Sequence, residues 1–144
     1  MGTYPTKILA ATDGSEVSKL TIRHAAELAE KTGSELHVVQ VGPVSHWLLP
    51  LAPEEYRKLE GETRKRLDEE VKEAEAAGAK VTKAHLRMGR VDAEVIKLCE
   101  ELGAGLIVIG NRGMGAVARI RLGNDAESIV RHAPCPVMLV RKPE

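Results

Sequence analysis

Gly105-Leu106-Ile107-Val108-Ile109-Gly110-Asn111-Arg112-Gly113-Met114-Gly115, completed by Gly123-Asn124 a little further on, is the stretch that decides how this chain folds. Its four consecutive apolar residues, Leu106 to Ile109, lie between glycines in a run too short for a helix, which reads as a strand buried on both faces. Such a strand belongs to a parallel sheet, and the loop after it lies over the sheet's carboxyl edge. Gly110, Gly113 and Gly123 are separated by two and nine residues. Without a Cβ, glycine lets backbone turn sharply and approach a ligand closely, as a phosphate cradle requires. Gly123-Asn124-Asp125-Ala126-Glu127 then opens the last helix, with Asn124 expected as its cap and Glu127 as the returning partner of a capping box. Free N–H groups and the positive end of a helix dipole would stand beside the loop and attract anions. The spacing matches neither the Walker loop nor the dinucleotide fingerprint. Taken alone, it equally describes three glycines turning a long loop.

The same apolar signature recurs at the start. Ile8, Leu9, Ala10 and Ala11 make the first strand, Lys7 to Thr12, apolar on both faces and therefore central. Asp13-Gly14-Ser15 turns into a helix capped by Ser15, with Val17, Leu20, Thr21, His24, Ala25 and Leu28 as its stripe and Gly33 as its stop. His24 is expected to pack on that stripe, since no partner at metal-ligand spacing accompanies it. Leu36, Val38, Val39 and Val41 form the second strand, ended by Gly42-Pro43. Val44 to Pro50, with Trp47 among leucines, reads either as a flap over a site or as a loop packing on the next helix. That helix, Pro53 to Ala77, shows Tyr56, Leu59, Leu67, Val71 and Ala74 on one face, and its charges, Arg64-Lys65-Arg66 included, read as a solvated face. Val81 to Leu86 alternates polar with apolar, the mark of an edge strand. A short helix capped by Asp92 follows, with Val95, Ile96, Cys99 and Leu102 inward. The last helix, Asn124 to His132, packs through Ala126, Ile129, Val130 and Ala133, and Val137 to Val140 is the final strand.

Strands alternating with helices predict one α/β domain over residues 1–144, a doubly wound five-stranded parallel sheet of order 3-2-1-4-5 with helices on both faces. The switch point then lies between strands one and four, where ligands bind outside the carboxyl ends. Thr12-Asp13 and the glycine loop, far apart in sequence, converge there. This convergence raises nucleotide binding above a mere turning loop.

Composition narrows the partners. The 21 basic and 21 acidic residues cancel, so no long-range field recruits nucleic acid or an anionic membrane. There is no signal-peptide pattern and no long apolar segment, and Cys99 and Cys135 have neither metal nor redox spacing, so a cytoplasmic protein with reduced thiols and no protein-held metal is expected. Phe is absent and Tyr4, Trp47 and Tyr56 are the only aromatics. The core must therefore be Ala, Val, Leu and Ile, without stacking platforms for bases.

The glycine loop with Arg112 inside it and His132-Ala133-Pro134-Cys135-Pro136-Val137 after it resembles the nucleotide-binding signature of the universal stress protein family. Lys7-Ile8-Leu9-Ala10-Ala11-Thr12-Asp13-Gly14-Ser15 is similar to that family's opening strand and turn, so the resemblance spans nearly the whole chain. It implies a stress-response regulator or sensor that binds an adenine nucleotide. Residues matching Ala11, Thr12, Asp13 and Val41 surround adenine and ribose, and those matching Gly110, Arg112, Gly113, Gly123 and Asn124 lie along the phosphates, with Asn111 in the same loop. Each role suits its chemistry: Asp13 accepts hydrogen bonds from ribose or the adenine amine, Val41 is an apolar wall, and the loop offers N–H groups. Asp13 also suits the free N–H groups of the first helix, and the two roles are compatible.

The departure from the family pattern is at 124 and 125, where the family usually has Gly followed by Ser or Thr and this chain has Asn124 after Gly123, and where Asp125 replaces a usual apolar residue. A carboxylate at 125 suits the helix dipole but repels a triphosphate unless a divalent cation or Arg112 intervenes. ATP, with magnesium as the nucleotide's companion, thus competes with AMP or cyclic AMP as the expected ligand. Hydrolysis finds little support: there is no Gly-Lys-Ser/Thr to bind phosphate and metal, which leaves at most a slow ATPase. A receiver domain would need an acid cluster after strand one and an Asp after strand three, where this chain has Asp13 alone and Arg87-Met88-Gly89. A nucleotidyltransferase would need His-x-Gly-His after strand one. The remaining alternative is an interaction module with an empty crevice. Val137 to Val140 carries no charge, and an uncharged edge strand predicts a homodimer joined there, as the resemblance also implies.

Overall fold

Nine elements follow one another along the computed structural model, which describes residues 3–44, 52–111 and 123–143. They are β1 (Lys7–Thr12), α1 (Glu16–Thr32), β2 (Glu35–Pro43), α2 (Pro53–Ala76), β3 (Lys83–Gly89), α3 (Val91–Leu102), β4 (Leu106–Gly110), α4 (Asn124–His132) and β5 (Val137–Val140). The sheet order is β3-β2-β1-β4-β5, parallel throughout, as expected. Ile8 of β1 registers with Leu36 on one side and Leu106 on the other.

The period of two splits each central strand between two cores. Ile8, Ala10, Leu36, Val38, Leu106 and Val108 pack with Ile22 and Ala25 of α1 and Leu67 of α2. Leu9, Val39, Ile107 and Ile109 face the other way, with Val95 and Leu98 of α3 and Ile129 of α4. Both faces of β1 are thereby covered, and Ile8, Leu9 and Ala10 are fully buried.

The helices refine the sequence reading. In α1 the inward residues are Val17, Ser18, Thr21, Ile22, Ala25 and Ala29. His24 falls on the flank of that stripe and is exposed, not packed. In α2 the buried residues are the central Thr63, Leu67 and Glu70, while Tyr56 near its start is exposed. Burial of Leu67 stabilises this helix by about 1.5–3 kcal/mol, against ~0–1 kcal/mol for an exposed ion pair such as Lys19–Glu73 at 3.4 Å. Packing therefore positions α2, and its charges follow. β3 starts and ends later than its alternation suggested, because its pairing with β2 runs on to Pro43 opposite Gly89.

Two helix starts differ from expectation. α3 begins after Arg90, and Asp92 lies inside its first turn instead of capping it. α4 takes Gly123 as its N-cap without any side-chain cap; Asn124 is already helical, and the Glu127 N–H donates to the Gly123 carbonyl at 2.9 Å. No capping box forms, because the Glu127 carboxylate turns to Arg131 at 3.0 Å. Val130 is exposed, since this short helix seats only Ala126, Ile129 and the following Ala133 on the core.

Candidate functional site

β1 leads into α1 on one face of the sheet and β4 leads towards α4 on the other, so the space between their carboxyl ends is left open. A cavity of about 540 Å³ occupies it. Ala11 and Thr12 line it from β1, Asp13 from the turn after it, Val41 from β2, Gly110 from β4, and Gly123, Asn124 and Asp125 from the start of α4. The fold thus unites site residues from both ends of the chain. Asn111 sits behind this surface, buried: its N–H donates to the Val140 carbonyl at 2.9 Å and its carbonyl accepts from the Gly123 N–H at 2.7 Å. Arg112 and Gly113 lie outside the described residues. So does the greater part of the segment holding Trp47.

The β1–α1 turn is closed by its own side chains. Asp13 Oδ1 accepts from the Ser15 N–H at 2.9 Å and from the Ser18 hydroxyl at 2.7 Å, and the same hydroxyl accepts from the Asp13 N–H at 2.8 Å. Ser15 caps α1 by accepting from the Ser18 N–H at 3.3 Å. Asp13 thus serves the helix start through the N–H of the cap residue Ser15 and the Ser18 hydroxyl. Opposite it, α4 presents an N-terminus without a side-chain cap, and Asp125 within its first turn. Burial pushes the Asp125 carboxyl above its usual value, reinforced by the charges of Asp92 and Asp13 and only partly opposed by the Asp92 N–H and Arg90. Asp92 behaves in the opposite way. Burial works against its charge, yet hydrogen bonds from the Ser128 hydroxyl at 2.6 Å and the Ala93 N–H at 2.8 Å, with the Arg90 guanidinium at 2.9 Å, hold it below the usual range. Of this acidic pair, Asp92 is the fixed charge and Asp125 the soft one.

Three further residues of this region escaped the sequence reading. Gln40 also lines the cavity and donates from Nε2 to Glu70 Oε1 at 2.7 Å. Burial pushes the Glu70 carboxyl up. Arg66, expected on a solvated face, lines the cavity as well, and its stem lies across the β1–α1 turn: a Cβ placed on Gly14 would meet Arg66 Cδ at 2.5 Å. Gly14, at φ +85°, is required by its backbone, and the arginine packs directly over it. A polar Gln40 in the otherwise apolar run Val38-Val39-Gln40-Val41 was a usable signal. Nothing in the charged helix sequence marks Arg66 or Glu70.

Among the described residues no group of three His, Cys, Asp or Glu side chains is placed to hold a metal ion. No helix among them is long and apolar enough to cross a membrane.

With this geometry established, comparison with known proteins gives a consistent picture. The model of the universal stress protein family matches residues 5–141. Universal stress protein MJ0531 of Methanocaldococcus jannaschii is 35% identical over 144 residues, spanning 96% of this chain and 83% of that protein. The solved structure of MJ0577, a hypothetical protein taken as a test case for structure-based assignment of biochemical function, aligns with a TM-score of 0.79 at 25% identity, covering 96% of this chain and 97% of that one. The universal stress protein from Archaeoglobus fulgidus, solved in complex with dAMP, aligns with a TM-score of 0.70 at 25% identity over 95% of this chain and 98% of that one.

Proposed function

The chain belongs to the universal stress protein family, and we propose that it is a cytoplasmic adenine-nucleotide-binding regulator of the stress response whose ligand lies in the β1/β4 crevice. The observation that carries this reading is the convergence of Asp13, Val41, Gly110 and Gly123-Asn124 on one cavity at the switch point of the sheet. Adenine and ribose fit the side of Ala11, Thr12, Asp13 and Val41, where Asp13 accepts from hydroxyls or the base amine. The phosphate fits the side of Gly110, Gly123, Asn124 and the expected contributors Arg112 and Gly113, where α4 opens its N–H groups and Asn111 holds the Gly123 backbone from behind. Asp125, a soft carboxyl beside Asp92, favours a ligand of low phosphate charge, and the dAMP complex of the related A. fulgidus protein agrees with a monophosphate. Magnesium would enter as a companion of ATP.

Titration calorimetry with AMP and ATP tests this. The native protein is expected to favour AMP in the absence of magnesium. Asp125→Val is expected to shift preference towards ATP, by more without magnesium than with it, because the cation screens the carboxylate. Native protein that binds neither nucleotide overturns the reading in favour of an interaction module with an empty crevice. Equal preference in both proteins, with and without magnesium, removes Asp125 from the site.

The same reading includes a homodimer. β5 pairs with β4 on one side only, with Met138 36% exposed, and an uncharged edge without lysines invites a second copy in antiparallel register. Sedimentation is expected to give a dimer for the native chain and a folded monomer for Leu139→Pro, which removes a ladder donor. A native monomer at high concentration, or a dimeric Leu139→Pro, places the interface elsewhere or nowhere.

A further inference from the structure

Two thiols that the sequence keeps apart meet behind α4. Cys99, near the end of α3, is buried, and Cys135, held between Pro134 and Pro136 after α4, is half-buried; both are free. They are 36 positions apart in the chain, yet their Sγ atoms stand 3.4 Å from each other. Among the described residues the Cys99 thiol makes one further polar contact, a long one to the Ala104 carbonyl at 3.8 Å. Around the pair lie Ala104, Ala133 and Val137, all apolar. Neither thiol lines the crevice.

We propose that Cys99 and Cys135 form a dithiol site for hydroperoxides, at which an intramolecular disulfide closes between α3 and the segment after α4. Cys135, the more accessible thiol, is the first to react: its thiolate attacks one peroxide oxygen, the O–O bond breaks, and the leaving oxygen departs as an alcohol or, for hydrogen peroxide, as water. Cys135 is left as a sulfenic acid. The Cys99 sulfur then attacks Cys135 Sγ, the S–O bond breaks, and the departing hydroxide takes the Cys99 proton as water. In sum two thiols lose two electrons and two protons, one hydroperoxide is reduced, and one disulfide, one alcohol or water and one further water result. Burial and the neighbouring Cys135 thiol push Cys99 up to about 12. With the Cys99 thiol so hard to ionise, Cys135 is the better placed of the two to attack first. Closing the disulfide draws the sulfurs from 3.4 Å to ~2.05 Å.

The position of the bond gives it a consequence. The ring closed by residues 99 and 135 contains all of β4 and all of α4. It therefore encloses the whole phosphate-side wall of the crevice, and oxidation restricts that segment in the unfolded chain and ties its far end to α3.

The experiment treats the native protein with a small excess of hydrogen peroxide at neutral pH, blocks remaining thiols with N-ethylmaleimide, and measures the intact mass. The expected product is lighter by two hydrogens, carries no maleimide, yields a Cys99–Cys135 linked peptide on digestion, and reverts with dithiothreitol. Its thermal midpoint is expected to lie roughly 5 °C or more above that of the reduced protein. Cys99→Ala and Cys135→Ala each abolish the link, and Cys135→Ala, left with the buried thiol alone, reacts with peroxide on the order of tenfold more slowly than Cys99→Ala. Native protein that still takes up two maleimides, gains oxygen without a link, or links between chains overturns the proposal. If either variant fails to fold, the peptide map of the native protein decides by itself.

Discussion

Two helices point their N-termini at the same crevice, and they begin in opposite ways. α1 is closed by Ser15, Ser18 and Asp13, which satisfy its first turn from within. α4 starts on Gly123 with no side-chain cap. A closed turn is a preformed wall that selects by shape and by the groups it leaves exposed. An open helix start leaves donors for whatever anion arrives. One crevice thereby combines a rigid side suited to a nucleoside with a donor-rich side suited to a phosphate.

The contrast can be broken most forcefully at Ser18. Its buried hydroxyl both donates to and accepts from Asp13, and Ser18→Ala removes both bonds while the Ser15 N–H bond to the Asp13 carboxylate remains, at a cost of about 1–3 kcal/mol of stability. Urea unfolding is expected to show that loss. Calorimetry is expected to show weaker adenosine binding with the AMP-to-ATP preference unchanged, because the phosphate side is untouched; a changed preference would mean that the two walls are coupled.

A smaller effect separates the walls by pH. Glu70, under the nucleoside side beside Gln40, has its carboxyl raised in the native state by burial. The folded protein then holds a proton that the unfolded chain releases, so stability declines as pH rises from the unfolded carboxylate range through the native value. Glu70→Gln is expected to flatten that decline in urea midpoints. His85 gives the opposite slope: burial, and His37 with Nδ1 3.0 Å from His85 Nε2, lower it to about 4. Its contribution is present above the ordinary value of 6.5 and is lost as pH falls towards 4. If Glu70→Gln leaves the higher-pH slope intact, the decline arises elsewhere.

The smallest change sharpens the contrast by removing it. Gly123 has the extended backbone of an N-cap, φ −66° and ψ 155°, so Gly123→Ser can cap α4 as Ser15 caps α1. Stability is expected to rise by only a few tenths of a kcal/mol, while AMP binds more weakly because the new hydroxyl competes for the donors. Unchanged AMP affinity would show that the phosphate does not use this helix start.

The sheet was legible because its signal is local and redundant. Apolar runs such as Ile8 to Ala11 and Leu106 to Ile109 are strands buried on both faces whatever surrounds them, and the alternation after Val81 marked the edge. The convergence of Asp13 with Gly110 and Gly123 on one cavity followed from strand order alone. What escaped depends on angles between elements. Arg66 reaches the turn at Gly14 only because Leu67 seats α2 where it does, and the 36-position gap between Cys99 and Cys135 gives no hint of their contact. The cap of α4 was misplaced by one residue because Gly123 and Asn124 are both acceptable caps and the choice rests on backbone angles. His24 shared the helical stripe's spacing but not its centre.

Asn111 has a consequence for how such a site is framed. Its carbonyl holds the Gly123 N–H at 2.7 Å and its own N–H holds Val140 at 2.9 Å, so the points where residues 112–122 leave and rejoin the scaffold are clasped together independently of what runs between them. The clasp couples the end of β4, the end of β5 and the start of α4 through main-chain groups alone, so this rim of the crevice is set by backbone before any side chain is chosen.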